Sequence, residues 1–191
     1  MMGKVCWIDL ETSGVDVKEC AILQVAGIIE IEGEVKEEFT FEMRPREGAL
    51  IEKGALEAIG RTRESLFESG IDEKVGKKML ESWFEKYVDK FDKRDKFVMA
   101  GYNVRFDSDF LRALWIRQND PYFGSWFHWP TLDVSAFVAE MIALNGSKPK
   151  FENFKLGTVC KALGVEMGQA HEAMEDIRAT RRLYQFLRNG A

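Results

Sequence analysis

The stretch Val5-Cys6-Trp7-Ile8-Asp9-Leu10-Glu11-Thr12-Ser13-Gly14 begins as an apolar strand and ends in two carboxylates and a turn. Side chains alternate across a strand, so Val5, Trp7, Asp9 and Glu11 share one face. Two acids two residues apart therefore point the same way. A carboxylate in an apolar strand costs several kcal/mol unless it is paired or binds a metal, and the nearest basic residue, Lys4, stands at the strand start. A hard divalent cation would compensate both acids. The alternative is that Asp9 and Glu11 lie at the strand end and are solvated in the Thr12-Ser13-Gly14 turn.

Two more strand-like runs follow at 21–31 and 35–43, with a hairpin turn expected around Gly33. Helical spacing then appears at 52–59, 62–69 and 72–91, the last carrying Val75, Met79, Leu80, Trp83, Phe84, Tyr87 and Val88 at intervals of three and four. A fourth strand is expected at 97–101 before a helix at 107–118, and a fifth at 131–134 before a helix ending near 144. Helices at 156–163 and 172–187 close the chain. Three leading strands followed by strands alternating with helices predict an α/β layer architecture, a mixed sheet with helices packed against it.

The 191 residues carry 27 Lys+Arg and 32 Asp+Glu, a formal charge of −5, and 46% are hydrophobic. This is one globular domain's worth of chain, and no repeat, Pro/Ser-rich linker or long charge block divides it, so 1–191 is read as a single domain. Balanced charge with 12% aromatics excludes wholesale disorder. The longest mostly apolar stretch, 21–29, is too short to span a membrane, and no secretory leader is apparent. Cys6, Cys20 and Cys160 are odd in number and widely spaced, which fits neither a disulfide framework nor a zinc knuckle, so a cytoplasmic location is expected. The acidic balance argues against a broadly basic nucleic-acid coat and leaves room for a local basic groove or a metal-bridged phosphate site.

Further acids stand at structurally telling positions. On the last helix Ala173, Asp176, Thr180, Leu183 and Leu187 fall on one stripe, which sets the Asp176 carboxylate inward. An acid in a first helical turn is also favoured by the helix dipole alone. His171, one of two histidines, lies five residues before Asp176. Gly101-Tyr102-Asn103-Val104-Arg105-Phe106-Asp107 joins a strand to a helix, where Asp107 would be a natural N-cap.

Taken in order, Asp9-x-Glu11, Asn103-x-x-Phe106-Asp107 and His171-x-x-x-x-Asp176 resemble the three motifs of the DEDDh, or DnaQ-like, 3′→5′ exonucleases. Leu132-Asp133 is similar to that family's mid-chain strand, and the segment from Phe154 to Leu187 to its closing block, so the resemblance covers nearly the whole chain. It implies a ribonuclease H-like fold, a five-stranded mixed sheet with the second strand antiparallel to the rest. It implies an exonuclease releasing nucleoside 5′-monophosphates from the 3′ end of DNA or RNA with two divalent cations, Mg²⁺ or Mn²⁺. By that resemblance Asp9 bridges the ions, Glu11 and Asp176 complete the first site, Asp107 helps to hold the second, and His171 is the general base. Tyr102 and Glu172 depart from the family's usual His and Asp, and neither removes a metal ligand.

Substrate contacts are expected from Thr12 and Ser13, at a terminal 3′-OH, and from Asn103, which either ties down the Asp107 loop or approaches the substrate. Lys148 and Lys150 are expected to contact phosphates, and Arg178, Arg181 and Arg182 to be ordinary surface. The ring-rich loop Tyr122-Phe123-Gly124-Ser125-Trp126-Phe127-His128-Trp129 either stacks bases or packs inward. The alternative function is a non-catalytic nucleic-acid or polymerase-binding module on this fold, which would have lost one of the five motif residues. Single-stranded or 3′-terminal nucleic acid is the expected partner, with a homodimer left open by the family's stand-alone ribonucleases. Asn189-Gly190-Ala191 follows closely on the last helix, so no polymerase tether is visible and a free-standing enzyme is expected.

Overall fold

β1 (Lys4–Thr12) is the central strand of a five-stranded sheet in the order β3-β2-β1-β4-β5. The computed structural model describes residues 3–145, 150–168 and 172–189. β2 (Ile22–Ile31) runs antiparallel to β1, and β3 (Glu34–Glu42) antiparallel to β2. β4 (Val98–Gly101) and β5 (Leu132–Asp133) extend the other side in parallel. The second strand is thus antiparallel to the rest, as the resemblance implies. The β2–β3 hairpin closes on Glu32 and Gly33 at φ 54° and 85°, the positive values that a two-residue type I′ turn needs at both positions.

Helices cover both faces. On one side, α2 (Arg63–Ser69), α3 (Glu73–Phe84) and α4 (Val104–Arg117) follow a single-turn α1 (Ala55–Ala58). Cys6, Ile8 and Leu10 meet Phe84, Phe110 and Trp115 there. On the other, α5 (Val134–Asn145), α6 (Leu156–Leu163) and α7 (Ala173–Arg188) bury Trp7, Ala26 and Ile28 against Val138, Ile177 and Leu183. The period-two pattern of β1 and β2 therefore feeds two separate cores. Asp9 and Glu11 continue the Trp7 row, on the α7 face.

Three helices differ from their sequence expectation. The 72–91 periodicity yields a helix that stops at Phe84, because the chain tightens into turns in which Tyr87 and Val88 N–H both bond to Phe84 O and Asp95 Oδ2 takes the Asp89 N–H. The 52–59 segment is helical only at Ala55–Ala58, since Glu52 is drawn off to close the turn after β1: its N–H bonds Ser13 O and its carboxylate accepts the Val15 N–H. The third is α4, which bears on the site.

Candidate active site

Asp9 and Glu11 occupy the carboxyl-terminal half of β1, where open α/β sheets bind their ligands. Asp176, in the first turn of α7, faces them. Each of the three offers a carboxylate oxygen, and these oxygens all lie within 4.8 Å of one another. What brings the helix there is visible at its start. Glu172, the N-cap, supplies no side-chain cap; instead Gln24 Oε1 on β2 accepts the Ala173 N–H at 3.1 Å. Gln24 is the register partner of Glu11.

Asp107 enters from the opposite helical layer. Its Oδ1 accepts the Leu10 N–H at 3.0 Å, which ties the first turn of α4 to the strand that carries Asp9 and Glu11. The helix starts at Val104 rather than 107, so Asp107 is a buried first-turn residue and not the N-cap. That position falls to Asn103, in the left-handed region at φ 58°, a conformation asparagine tolerates better than most residues. Asp133 Oδ1, at the end of β5, accepts the Asn103 N–H at 2.9 Å and the Ser135 N–H and hydroxyl at 3.0 and 2.7 Å. Gly101 makes the short junction feasible, since a Cβ there would stand 2.8 Å from Ile8 O.

The electrostatics follow from this crowding. Burial, then the neighbouring charges of Asp107, Asp176 and Glu11, push the Asp9 carboxyl well above the usual aspartate range. Burial likewise raises Asp107, against the Leu10 N–H and its own N–H, while Glu11 and Asp133 add to the rise. Like charges held this close are unfavourable unless a cation sits among them. An all-oxygen, carboxylate-only donor set is what a hard divalent ion takes, so the residues fit such an ion.

The remaining expected contacts divide clearly. Ser13 is fully buried: its hydroxyl donates to Leu50 O and accepts the Ala21 N–H, and its own N–H bonds Ala21 O, so these bonds fasten the turn after β1. Thr12 is half-buried and its hydroxyl donates to Gly14 O at 2.7 Å. Asn103 ties the Asp107 turn through its backbone, and its exposed side chain makes no capping bond. Lys150 is exposed; Lys148 and His171 lie outside the described residues. Arg178 pairs with Glu38 and Glu175 on a half-exposed face, and Arg181 with Glu30 in a largely buried pair. Arg182 donates to Glu166 O. Tyr102 donates to Phe154 O at 2.6 Å. Of the ring-rich loop, Phe123, Trp126 and Phe127 are core, while Tyr122 and Trp129 are exposed. Gln24 and Asp133 were not anticipated as site supports, although Gln24 is the one polar residue in Ile22-Leu23-Gln24-Val25-Ala26.

Sheet order and acidic cluster together are those of a ribonuclease H-like nuclease domain. The RNase T exonuclease family model matches residues 6–184, and the chain belongs to that family. Exodeoxyribonuclease I of Escherichia coli K12 is 31% identical over 150 residues, covering 73% of this chain and 30% of that protein. DNA polymerase III of the PolC type from Thermotoga petrophila is 23% identical over 177 residues, or 93% of this chain and 11% of that one. The structure of E. coli exonuclease I in complex with a dT13 oligonucleotide superposes with a TM-score of 0.81 at 25% identity, over 99% of this chain and 41% of that chain. The chain thus spans less than half the length of these relatives.

Proposed function

We propose that the chain is a metal-dependent 3′→5′ exonuclease acting on single-stranded DNA and releasing nucleoside 5′-monophosphates. The observation that carries this reading is the convergence of Asp9, Glu11 and Asp176 oxygens within 4.8 Å, with Asp107 pinned to the same strand. The choice of DNA is supported by the names of two relatives, an exodeoxyribonuclease and a DNA polymerase, and by the dT13 complex of the first.

Asp9, Glu11 and Asp176 would hold one Mg²⁺ or Mn²⁺ ion, and Asp107 with Asp9 a second. Bound there, such ions would stabilise the attacking and leaving oxygens of an in-line phosphodiester displacement. His171, five residues before Asp176, is the general base of this reading: a neutral imidazole takes the proton of the attacking water. The Thr12 hydroxyl, donating to Gly14 O, keeps lone pairs that can accept from a terminal 3′-OH. The Asn103 amide and Lys150, both exposed, are the phosphate contacts of this reading, together with Lys148.

The test is digestion of 5′-labelled single-stranded DNA and RNA of one sequence with Mg²⁺, Mn²⁺ or EDTA, beside Asp9→Ala. A ladder shortening from the 3′ end, at least tenfold faster on DNA, is expected with metal alone. Equal rates on RNA would change the substrate; cleavage unaffected by EDTA or by Asp9→Ala would overturn the reading.

A further inference from the structure

The outer face of α4 and the segment 127–131 leading into β5 enclose an open cleft of about 700 Å³. Its charge runs against that of the chain: Lys96, Arg105 and Arg112 face one acid, Asp109, in a protein whose formal charge is −5. Arg105 and Asp109 stand 3.6 Å apart with both side chains in water, so Asp109 offsets one of the three positive charges and the lining stays net positive. The Arg112 guanidinium lies 5.0 Å from the centroid of the Phe123 ring and has no acidic partner among the described residues. Trp129, on the cleft wall, is 89% exposed, whereas Phe123, Trp126 and Phe127 of the same loop are buried. A bare indole beside a net positive lining is the combination that holds single-stranded nucleic acid, base on ring and phosphate on charge.

Position ties the cleft to the site. Arg105 lies two residues before Asp107 at the start of α4, and Arg112 two turns further along, about 10 Å at the rise of a helix. The cleft therefore begins at the end of α4 that presents Asp107 and runs down the β4–β5 edge of the sheet.

Resting on the exonuclease reading above, we propose that this cleft carries the single strand upstream of its 3′ end, with Trp129 stacked on a base and Arg105 and Arg112 on phosphates. An acidic protein segment could satisfy the cations but would leave the indole without a purpose.

The experiment is fluorescence anisotropy of 5′-labelled dT12 and dT3 in EDTA, where nothing is cleaved. It compares wild type with Arg112→Ala, Trp129→Ala and Lys36→Ala, the last on β3 at the opposite edge of the sheet. Each cleft variant should raise the Kd for dT12 about tenfold and leave dT3 within twofold, with melting temperature unchanged. Arg112→Ala should also flatten the dependence of log K on log salt by about 0.7. Lys36→Ala should bind as wild type does. The proposal is overturned if the Arg112→Ala, Trp129→Ala double variant binds dT12 within twofold of wild type, if wild type does not bind dT12, or if an oligoglutamate displaces dT12 through the same residues at lower concentration. Binding here needs no metal and no cleavage, so a chain that holds dT12 in the cleft and hydrolyses nothing would refute the exonuclease reading alone.

Discussion

Gln24 Oε1 accepts the Ala173 N–H at 3.1 Å, and that one bond seats the first turn of α7 on the strand position opposite Glu11. An α-helix leaves its first N–H groups without internal partners, and here a neighbouring strand supplies the acceptor that Glu172 does not. Because Asp176 lies three residues after Ala173, the same bond fixes how far its carboxylate reaches toward Asp9 and Glu11.

Gln24→Ala should therefore behave as the loss of a cap and of a positioning residue. Cap removal costs about 1 kcal/mol, a fall in melting temperature of about 2–4 °C for a chain of this size. Mn²⁺ affinity, read by titration calorimetry, should weaken about tenfold, more than so small a stability loss explains. Unchanged Mn²⁺ affinity in Gln24→Ala would leave Gln24 a purely structural residue.

The crowded carboxylates make stability depend on pH in a definite direction. Asp9 holds its proton more tightly in the folded chain than in the unfolded one, so from the ordinary aspartate range upward the folded state binds more protons and loses stability as pH rises. In EDTA the melting temperature of wild type relative to Asp9→Asn should fall as pH rises above the ordinary aspartate range. A divalent cation at 100 times its Kd adds about 2.7 kcal/mol, or about 5–10 °C, at pH 8 and clearly less at pH 5, where protons compete for the ligands. Equal metal-induced shifts at the two pH values would contradict this account.

Much of this arrangement could be read from the residues before any coordinates. Alternation in β1 places Asp9 and Glu11 on one face, and the three- and four-residue stripe of α7 turns Asp176 inward; both follow from local geometry, and both hold. The start of α4 was misread because Asp107 satisfies the pattern of an N-cap, whereas the chain turns earlier on Asn103, held by Asp133 some 30 residues on. At Ser13 a hydroxyl beside two acids suggests substrate, while the partners that hold it, Ala21 and Leu50, lie 8 and 37 residues further along and leave no local mark. Local periodicity shows which face a side chain takes. It does not show which remote backbone group meets it there.

Gly101 connects β4 to the turn before α4 with no room for a side chain. A Cβ would meet Ile8 O at 2.8 Å and Val104 Cβ at 3.1 Å, and the first is backbone of the central strand, which cannot step aside. Gly101→Ala should cost about 1–3 kcal/mol and lower the melting temperature by about 3–10 °C. Since relief comes by shifting α4, Asp107 moves with it, and kcat at 20 °C should fall by at least tenfold while the protein is still folded. Full activity at that temperature would show that the junction yields without moving Asp107.

Lys77 holds the far end of the same helical layer. Its ammonium stands 2.7 Å from Glu81 and 2.8 Å from Asp120, with the Trp115 ring centroid 5.1 Å away, and the residue is only 9% exposed. Burial alone would lower its pKa, but Asp120 and Glu81 more than offset this and raise it, so its stabilising contribution persists through neutral pH and is lost only in strong alkali. Asp120 is lowered, burial notwithstanding, by the Lys77 bond and the Tyr122 N–H, so its share is lost as acid takes the solution below the ordinary aspartate range. Removing the cation strands two partly buried carboxylates, which puts Lys77→Ala at the lower end of buried-pair losses, about 3 kcal/mol or 6–12 °C. Lys77→Met keeps the apolar stem against Trp115 and separates packing from charge. In a double-mutant cycle of Lys77→Met with Asp120→Asn, a coupling of about 1–2 kcal/mol at pH 7 that shrinks as acid takes the solution below the ordinary aspartate range is expected. A coupling unchanged by acid would mean that packing rather than the ion pair fastens α3 to the end of α4.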